Sequence, residues 1–259
     1  MTTLLQYNQD GVLIHSHSGY VQSSGQVVDI GCERELGERP ESERQFAVIL
    51  NDGAIDILSI RGAPDIQTTR GSTVAGAGRG IEFVDKDHVA VSFRTTGVII
   101  LALGTATLNS FDPDGNLSWY NIPPAKQLAN HNGFGCTVDG KNFYFGLTNT
   151  SLLARAHRII WLAQEGSTLK TKTLDSSPSW GSQSTDQIRG LAFNGRDMWV
   201  LLKDGSQYYL ELHRNTGMAG SLANFVRHPT RYNITSDGPV NPKFGLTFDG
   251  RSLYTMTRT

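Results

Sequence analysis

The chain has only two cysteines, Cys32 and Cys136, in 259 residues. They do not form a CxxC pair, and two distant thiols do not make a disulfide framework. They read as buried or half-buried thiols. An excess of either charge is also missing. The net charge is −1, so no long-range field favours nucleic acid or an anionic membrane. No segment approaches the roughly 18 apolar residues that a membrane-spanning helix needs. The opening Met-Thr-Thr-Leu-Leu-Gln-Tyr lacks a basic region and an apolar run, which argues against a signal peptide and for synthesis in the cytoplasm. A long amphipathic helix is lacking too. Leu152 to Leu162 comes nearest, but its branched and aromatic end favours a strand.

What the chain does have is glycine and repetition. It carries 28 glycines, and only 18% of its residues are charged, a composition of short strands joined by tight turns. Gly135-Cys-Thr-Val-Asp-Gly140, Gly190-Leu-Ala-Phe-Asn-Gly195 and Gly245-Leu-Thr-Phe-Asp-Gly250 are spaced 55 residues apart. Stepping back by the same period reaches Gly80 and then Gly25. Three residues beyond each glycine stand Val28, Phe83, Val138, Phe193 and Phe248. Nine residues beyond stand Val89, Tyr144, Trp199 and Tyr254. Apolar side chains at matched places with polar neighbours between them read as strands. The Asp139-Gly140, Asn194-Gly195 and Asp249-Gly250 pairs supply hairpin turns.

Two further strands follow in each unit. Val98 to Leu103 and Leu117 to Ile122 flank the turn Phe111-Asp-Pro-Asp-Gly115. Ile159 to Ala163 and Leu169 to Leu174 flank Glu165-Gly166. Four strands in a repeat of this size make a propeller blade. The last repeat ends at Thr259 with two strands, Leu246 to Phe248 and Leu253 to Thr257. The N-terminus offers the missing pair, because Tyr7-Asn-Gln-Asp-Gly11-Val-Leu13 matches Phe111 to Leu117. The expected fold is all-β, a five-bladed β-propeller of four-stranded antiparallel blades. Its blades span 25–79, 80–134, 135–189, 190–244, and 245–259 completed by 1–24, all within one domain, 1–259. Pairing of the two ends would remove open sheet edges. The first unit departs from the pattern at Cys32 to Arg44, a charged stretch read as a solvated insertion in the first hairpin.

The Gly-x-x-Phe-Asp-Gly-x-x-Leu-Tyr stretch from Gly245 to Tyr254 resembles the inner hairpins of the β-propeller superfamily, and the resemblance covers nearly the whole chain. The Gly-His and Trp-Asp signatures of WD40 repeats are absent. Five-bladed members of the superfamily include lectins, arabinan-cleaving glycosidases and nucleotide hydrolases, and propellers recur in bacteriophage tails. Fold alone does not choose among these.

A propeller binds ligands where its axis opens. The loops entering each first strand and those joining second to third strands share one face. That face gathers Arg79, His131, Asn132, Gln187, Arg189, Asn241 and Lys243, with Asn51, Asp52, Lys203 and Asp204. It suits an anionic or sugar ligand, or a protein. Glycoside hydrolysis needs two carboxyl groups flanking the bond, and Glu82 and Asp186 are the candidates near the axis. Asp29, Asp85, Asp139 and Asp249 repeat, but they read as turn residues. Asp112-Pro-Asp-Gly-Asn116 lacks the later ligands of a calcium loop. His15 and His17 share a strand face without a third metal ligand. Gly76-Ala-Gly78-Arg-Gly80 precedes no helix, so it is no dinucleotide fingerprint. Tyr144, Trp199 and Tyr254 suit packing between blades, while Trp119, Trp161 and Trp180 fall outside that column.

No catalytic, cofactor or metal constellation stands above turn chemistry. The expected function is a non-enzymatic interaction or assembly module with protein partners, its concrete version a virion or phage-tail component. The rival is a carbohydrate-binding propeller, either a lectin or a glycoside hydrolase.

Overall fold

A computed structural model describes residues 2–33, 44–60, 66–73, 78–85, 88–93, 97–102, 119–121, 131–139, 142–149, 157–165, 168–175, 187–216, 225–239 and 242–258. Among these residues there are twenty strands and no helix. The chain opens with β1 (Thr2–Tyr7) and β2 (Leu13–Tyr20). The first sheet follows as β3 (Val27–Cys32), β4 (Gln45–Leu50), β5 (Ala54–Ile60) and β6 (Ile66–Thr73). The second holds β7 (Gly78–Phe83), β8 (His88–Phe93), β9 (Gly97–Ala102) and β10 (Trp119–Asn121). The third holds β11 (His131–Asp139), β12 (Asn142–Asn149), β13 (His157–Glu165) and β14 (Thr168–Asp175). The fourth holds β15 (Gln187–Phe193), β16 (Met198–Asp204), β17 (Gln207–Asn215) and β18 (Phe225–Asn233), and β19 (Lys243–Phe248) and β20 (Leu253–Arg258) end the chain.

Each sheet pairs its strands antiparallel in chain order, save one. In the fifth sheet the order is β19, β20, β1, β2, so strands from the two ends share one sheet. The seam runs from Thr2 opposite Arg258 to Tyr7 opposite Leu253, and all six residues of β1 are buried. The turn after β1 is set by Asn8, whose side-chain oxygen accepts the N–H groups of Asp10 and Val12. The exit from β2 is tied to the first sheet, where Asp56 accepts the hydroxyl of Tyr20 at 2.7 Å and the N–H of Ser23.

The first strands lie side by side. β3 packs on β7, β7 on β11, β11 on β15, β15 on β19, and β19 on β3. Apolar side chains fill the spaces between sheets. Val28, Ala47 and Ile49 meet Ile81, Phe83 and Val91, and Leu5, Leu246 and Leu253 meet Trp199 and Leu201. Aromatic pairs span two of the spaces: Tyr144 stacks on Phe193 at 5.7 Å, and Phe46 meets Tyr254 edge-on at 4.9 Å. This matches the packing role expected of the Tyr144 column.

The first sheet corrects the register read from the 55-residue period. Gly245 packs against Ile30 as Gly190 packs against Leu246 and Gly80 against Cys136. Asp29 therefore occupies the glycine column and Cys32 the phenylalanine column, four places later than the period implies. Gly25 has a separate reason to be glycine. A β-carbon there would lie 2.2 Å from the side-chain oxygen of Asn51, which accepts the N–H of Gln26 in the entry loop. Asp29 is also not a turn residue. It sits inside β3 and is fully buried.

Candidate functional site

The pairing of every first strand with its second shifts register near the repeat glycine. The shifts fall between Val27 and Asp29, Gly78 and Gly80, Phe134 and Cys136, Ile188 and Gly190, and Phe244 and Thr247. Such bulges re-aim side chains. The residues one place before the glycine column are Val28, Arg79, Phe134, Arg189 and Phe244. Arg79, Arg189 and Phe244 thus stand at the entry end of their first strands. The Arg189 guanidinium lies 5.5 Å from the centre of the Phe244 ring, and Arg258 at the end of β20 lies 5.7 Å from it. All three side chains are half-buried. Burial disfavours the charged form of Arg189, and Tyr208 partly opposes this. A guanidinium stays charged in such a setting and stacks well on an aromatic face.

The expected face residues divide by depth. Arg79 and Gln187 are half-buried on β7 and β15. His131 and Asn132 open β11 opposite Asn149 and Thr148. Lys243 is wholly buried rather than presented at the surface. It stands two places ahead of the glycine column, where sheets one and four carry the buried Val27 and Ile188. Its ammonium donates to the carbonyl of Asp237 at 2.7 Å. Burial lowers its pKa, and the charge of Asp237 partly restores it. Asp204 joins Arg231 at 3.3 Å, while Asn51 and Asp52 accept backbone N–H groups of the entry loop. Asn241 and Asp186 lie outside the described residues.

The second site is the centre, where the five first strands meet. The glycine column reads Asp29, Gly80, Gly135, Gly190 and Gly245, and two places on it reads Gly31, Glu82, Thr137, Ala192 and Thr247. Each layer has one carboxyl side chain among small residues, and all ten residues are buried. Asp29 Oδ2 accepts the N–H groups of Ile81 at 3.0 Å and Cys136 at 3.2 Å. Glu82 accepts the N–H groups of Cys32 at 2.9 Å and Phe83 at 3.1 Å, and the hydroxyls of Thr137 and Thr247. Thr137 in turn accepts the N–H of Phe193. These bonds reach all five first strands. Burial holds the pKa of Asp29 well above the usual carboxyl range. The N–H groups of Ile81, Ile30 and Cys136 oppose that effect, and the charge of Glu82 adds to it.

This central network was not legible in the sequence. By its sequence position Glu82 reads as a catalytic candidate and Asp29 as a turn residue, yet both belong to this network. The two-residue alternation of apolar Ile30, Ile81, Leu191 and Leu246 with the central layers was the available signal. Asp249 and Asp85 do sit at turns. Asp249 Oδ1 accepts the N–H groups of Arg251 and Ser252 at 2.7 Å each, and its Oδ2 meets Arg44 and the Tyr254 hydroxyl. Asp85 pairs with His88. His15 and His17 lie on one strand with rings 5.9 Å apart, and His17 bonds Gln6. Among the described residues no three His, Cys, Asp or Glu side chains form a metal-binding group, and both cysteines are buried and neither is in a disulfide.

The class defined by these observations is an all-β protein of antiparallel four-stranded sheets, propeller-like in arrangement. No protein-family model and no curated protein sequence matches the chain. Among solved structures it is similar to one described as YCF48 bound to D1 peptide. Identity is 13%, the TM-score is 0.40, and the match covers 95% of this chain and 68% of that one.

Proposed function

We propose that the chain is a five-bladed propeller, one unit over 1–259 tied shut by its termini, and that it acts as a non-enzymatic module docking a protein partner. The carrying observation is the group Arg189, Phe244 and Arg258, where two guanidinia lie near one half-buried ring. Arginine and aromatic side chains dominate the energy of protein interfaces. Arg79 and Gln187 extend the same end of the molecule. The partner belongs to a larger assembly, of which a virion or tail is the concrete form. The glycosidase alternative draws less support, because Glu82 is enclosed by four donors from the backbone and threonines rather than open to a substrate.

The test is capture from the native source, with sedimentation and mass spectrometry of what is recovered. A stoichiometric particle is expected with the wild type. Arg258→Ala should weaken capture by about tenfold, the loss of about 1.4 kcal/mol typical of an interface anchor, with little change in thermal midpoint. Recovery as a lone monomer would overturn the reading. Hydrolysis of a glycan by the pure chain would replace it with the enzymatic one.

A further inference from the structure

We infer that Asp29 and Glu82 form a central carboxyl pair holding one proton, carried by Asp29, and that loss of this proton to solvent loosens the packing of the five first strands. The assignment starts from geometry. Glu82 accepts two backbone N–H groups and two hydroxyls, which is the environment of an ionised carboxylate. Asp29 receives its cross-strand bonds on Oδ2 alone. Its Oδ1 is buried and makes no hydrogen bond among the described residues. A bare, buried, charged oxygen is costly, and a proton removes the charge. Two carboxyl groups close together do not both ionise readily.

No cation contributes to the shift of Asp29 among the described residues. The central positions of the strands packed here are Gly31 on β3, Gly80 and Glu82 on β7, Gly135 and Thr137 on β11, Gly190 and Ala192 on β15, and Gly245 and Thr247 on β19. Glu82 is the titratable group facing Asp29 among the described residues of these strands. The direction of the Asp29 shift, upward by burial with Glu82 adding to it, agrees with the geometry.

The sign of the pH effect follows. The folded chain keeps a proton that the unfolded chain gives up near pH 4. The associated stability is complete below that pH. It is lost as pH rises toward the folded-state value of Asp29, and is constant beyond it. For one proton the folding equilibrium constant falls about tenfold per pH unit within that window.

Infrared spectra of wild-type protein at neutral pH should contain the carbonyl stretch of a protonated carboxylic acid. The band should shift when aspartate is isotope-labelled and stay fixed when glutamate is. This measurement needs no variant. In parallel, urea unfolding of the wild type and Asp29→Asn should be compared from pH 4 to 8. Their difference should carry the tenfold slope. Glu82→Gln should end the fall at a lower pH, because the repelling charge is gone. A band absent at neutral pH, a band that moves with glutamate labelling, or a wild-type and Asp29→Asn difference independent of pH would each overturn the assignment.

Discussion

At the scale of single residues, two glycines are glycine for opposite reasons. Gly190 has an ordinary backbone conformation, but a β-carbon on it would lie 2.4 Å from the Leu246 nitrogen and 2.5 Å from the Gly245 carbonyl carbon. Both are backbone atoms of the neighbouring strand and have no rotamer to yield. Gly195 lies in the Asn194-Gly195 hairpin with φ +93° and nothing within 4 Å of the added carbon. Only its backbone conformation resists substitution. Gly195→Ala should therefore cost about 1 kcal/mol. Gly190→Ala should cost the upper end of the overpacking range, about 3 kcal/mol or more. Urea midpoints of the two variants decide this, and equal losses would mean that β15 and β19 do not meet as described. The same close approach explains what the sequence hid. Four glycines leave room at the centre for one carboxyl side chain, Asp29. That residue breaks the glycine column, while Gly25 falls on the 55-residue period for a local reason. A period search follows the glycine and misses the aspartate.

At the scale of elements, the strand pattern was largely readable. Met198 to Leu202 and Leu253 to Thr257 fall inside β16 and β20, and the two N-terminal strands were placed from one turn, Asn8 to Gly11, which recurs in the sequence at Asp112 to Gly115. The long first hairpin was legible as charged sequence between β3 and β4. Side-chain depth was less legible, because a bulge at each entry point shifts the alternation. Lys243 looks like a surface residue by type and is buried by position. The closing strand β1 illustrates how much one element carries. Leu5 is fully buried against Trp199, Leu246 and their neighbours, whereas Ile14 on the adjacent β2 is 44% exposed. Leu5→Ala should cost about 2–5 kcal/mol, and Ile14→Ala should stay within about 0.5 kcal/mol. Chemical denaturation separates the two. A small loss at Leu5 would show that β1 contributes little to the folded state.

At the scale of the whole molecule, one sheet joins strands that lie far apart in the chain. The fifth sheet is built from both termini, so its hydrogen bonds between β1 and β20 link the first residues to the last. The other four sheets are each a continuous piece of chain, and the described contacts between sheets include side-chain packing, the central bonds of Asp29, Glu82 and Thr137, and the bonds of Tyr20 to Asp56 and of Arg44 to Asp249. A circular permutant separates these contributions. Joining residue 258 to residue 2 by a short linker and opening the chain between 175 and 187 retains every described strand. The fifth sheet then becomes continuous chain, and the new ends fall between sheets, with no β-ladder across the opening. If the seam holds the molecule shut, the permutant should fold with the same far-ultraviolet spectrum but unfold at a lower temperature. For a protein of this size each kcal/mol lost lowers the midpoint by about 2–4 °C. Its fluorescence and circular dichroism transitions should also separate, because sheets beside the opening can loosen before the rest. A permutant with the wild-type midpoint and one coincident transition would assign the cohesion of the fold to the central carboxyl network and the inter-sheet packing instead of the terminal seam.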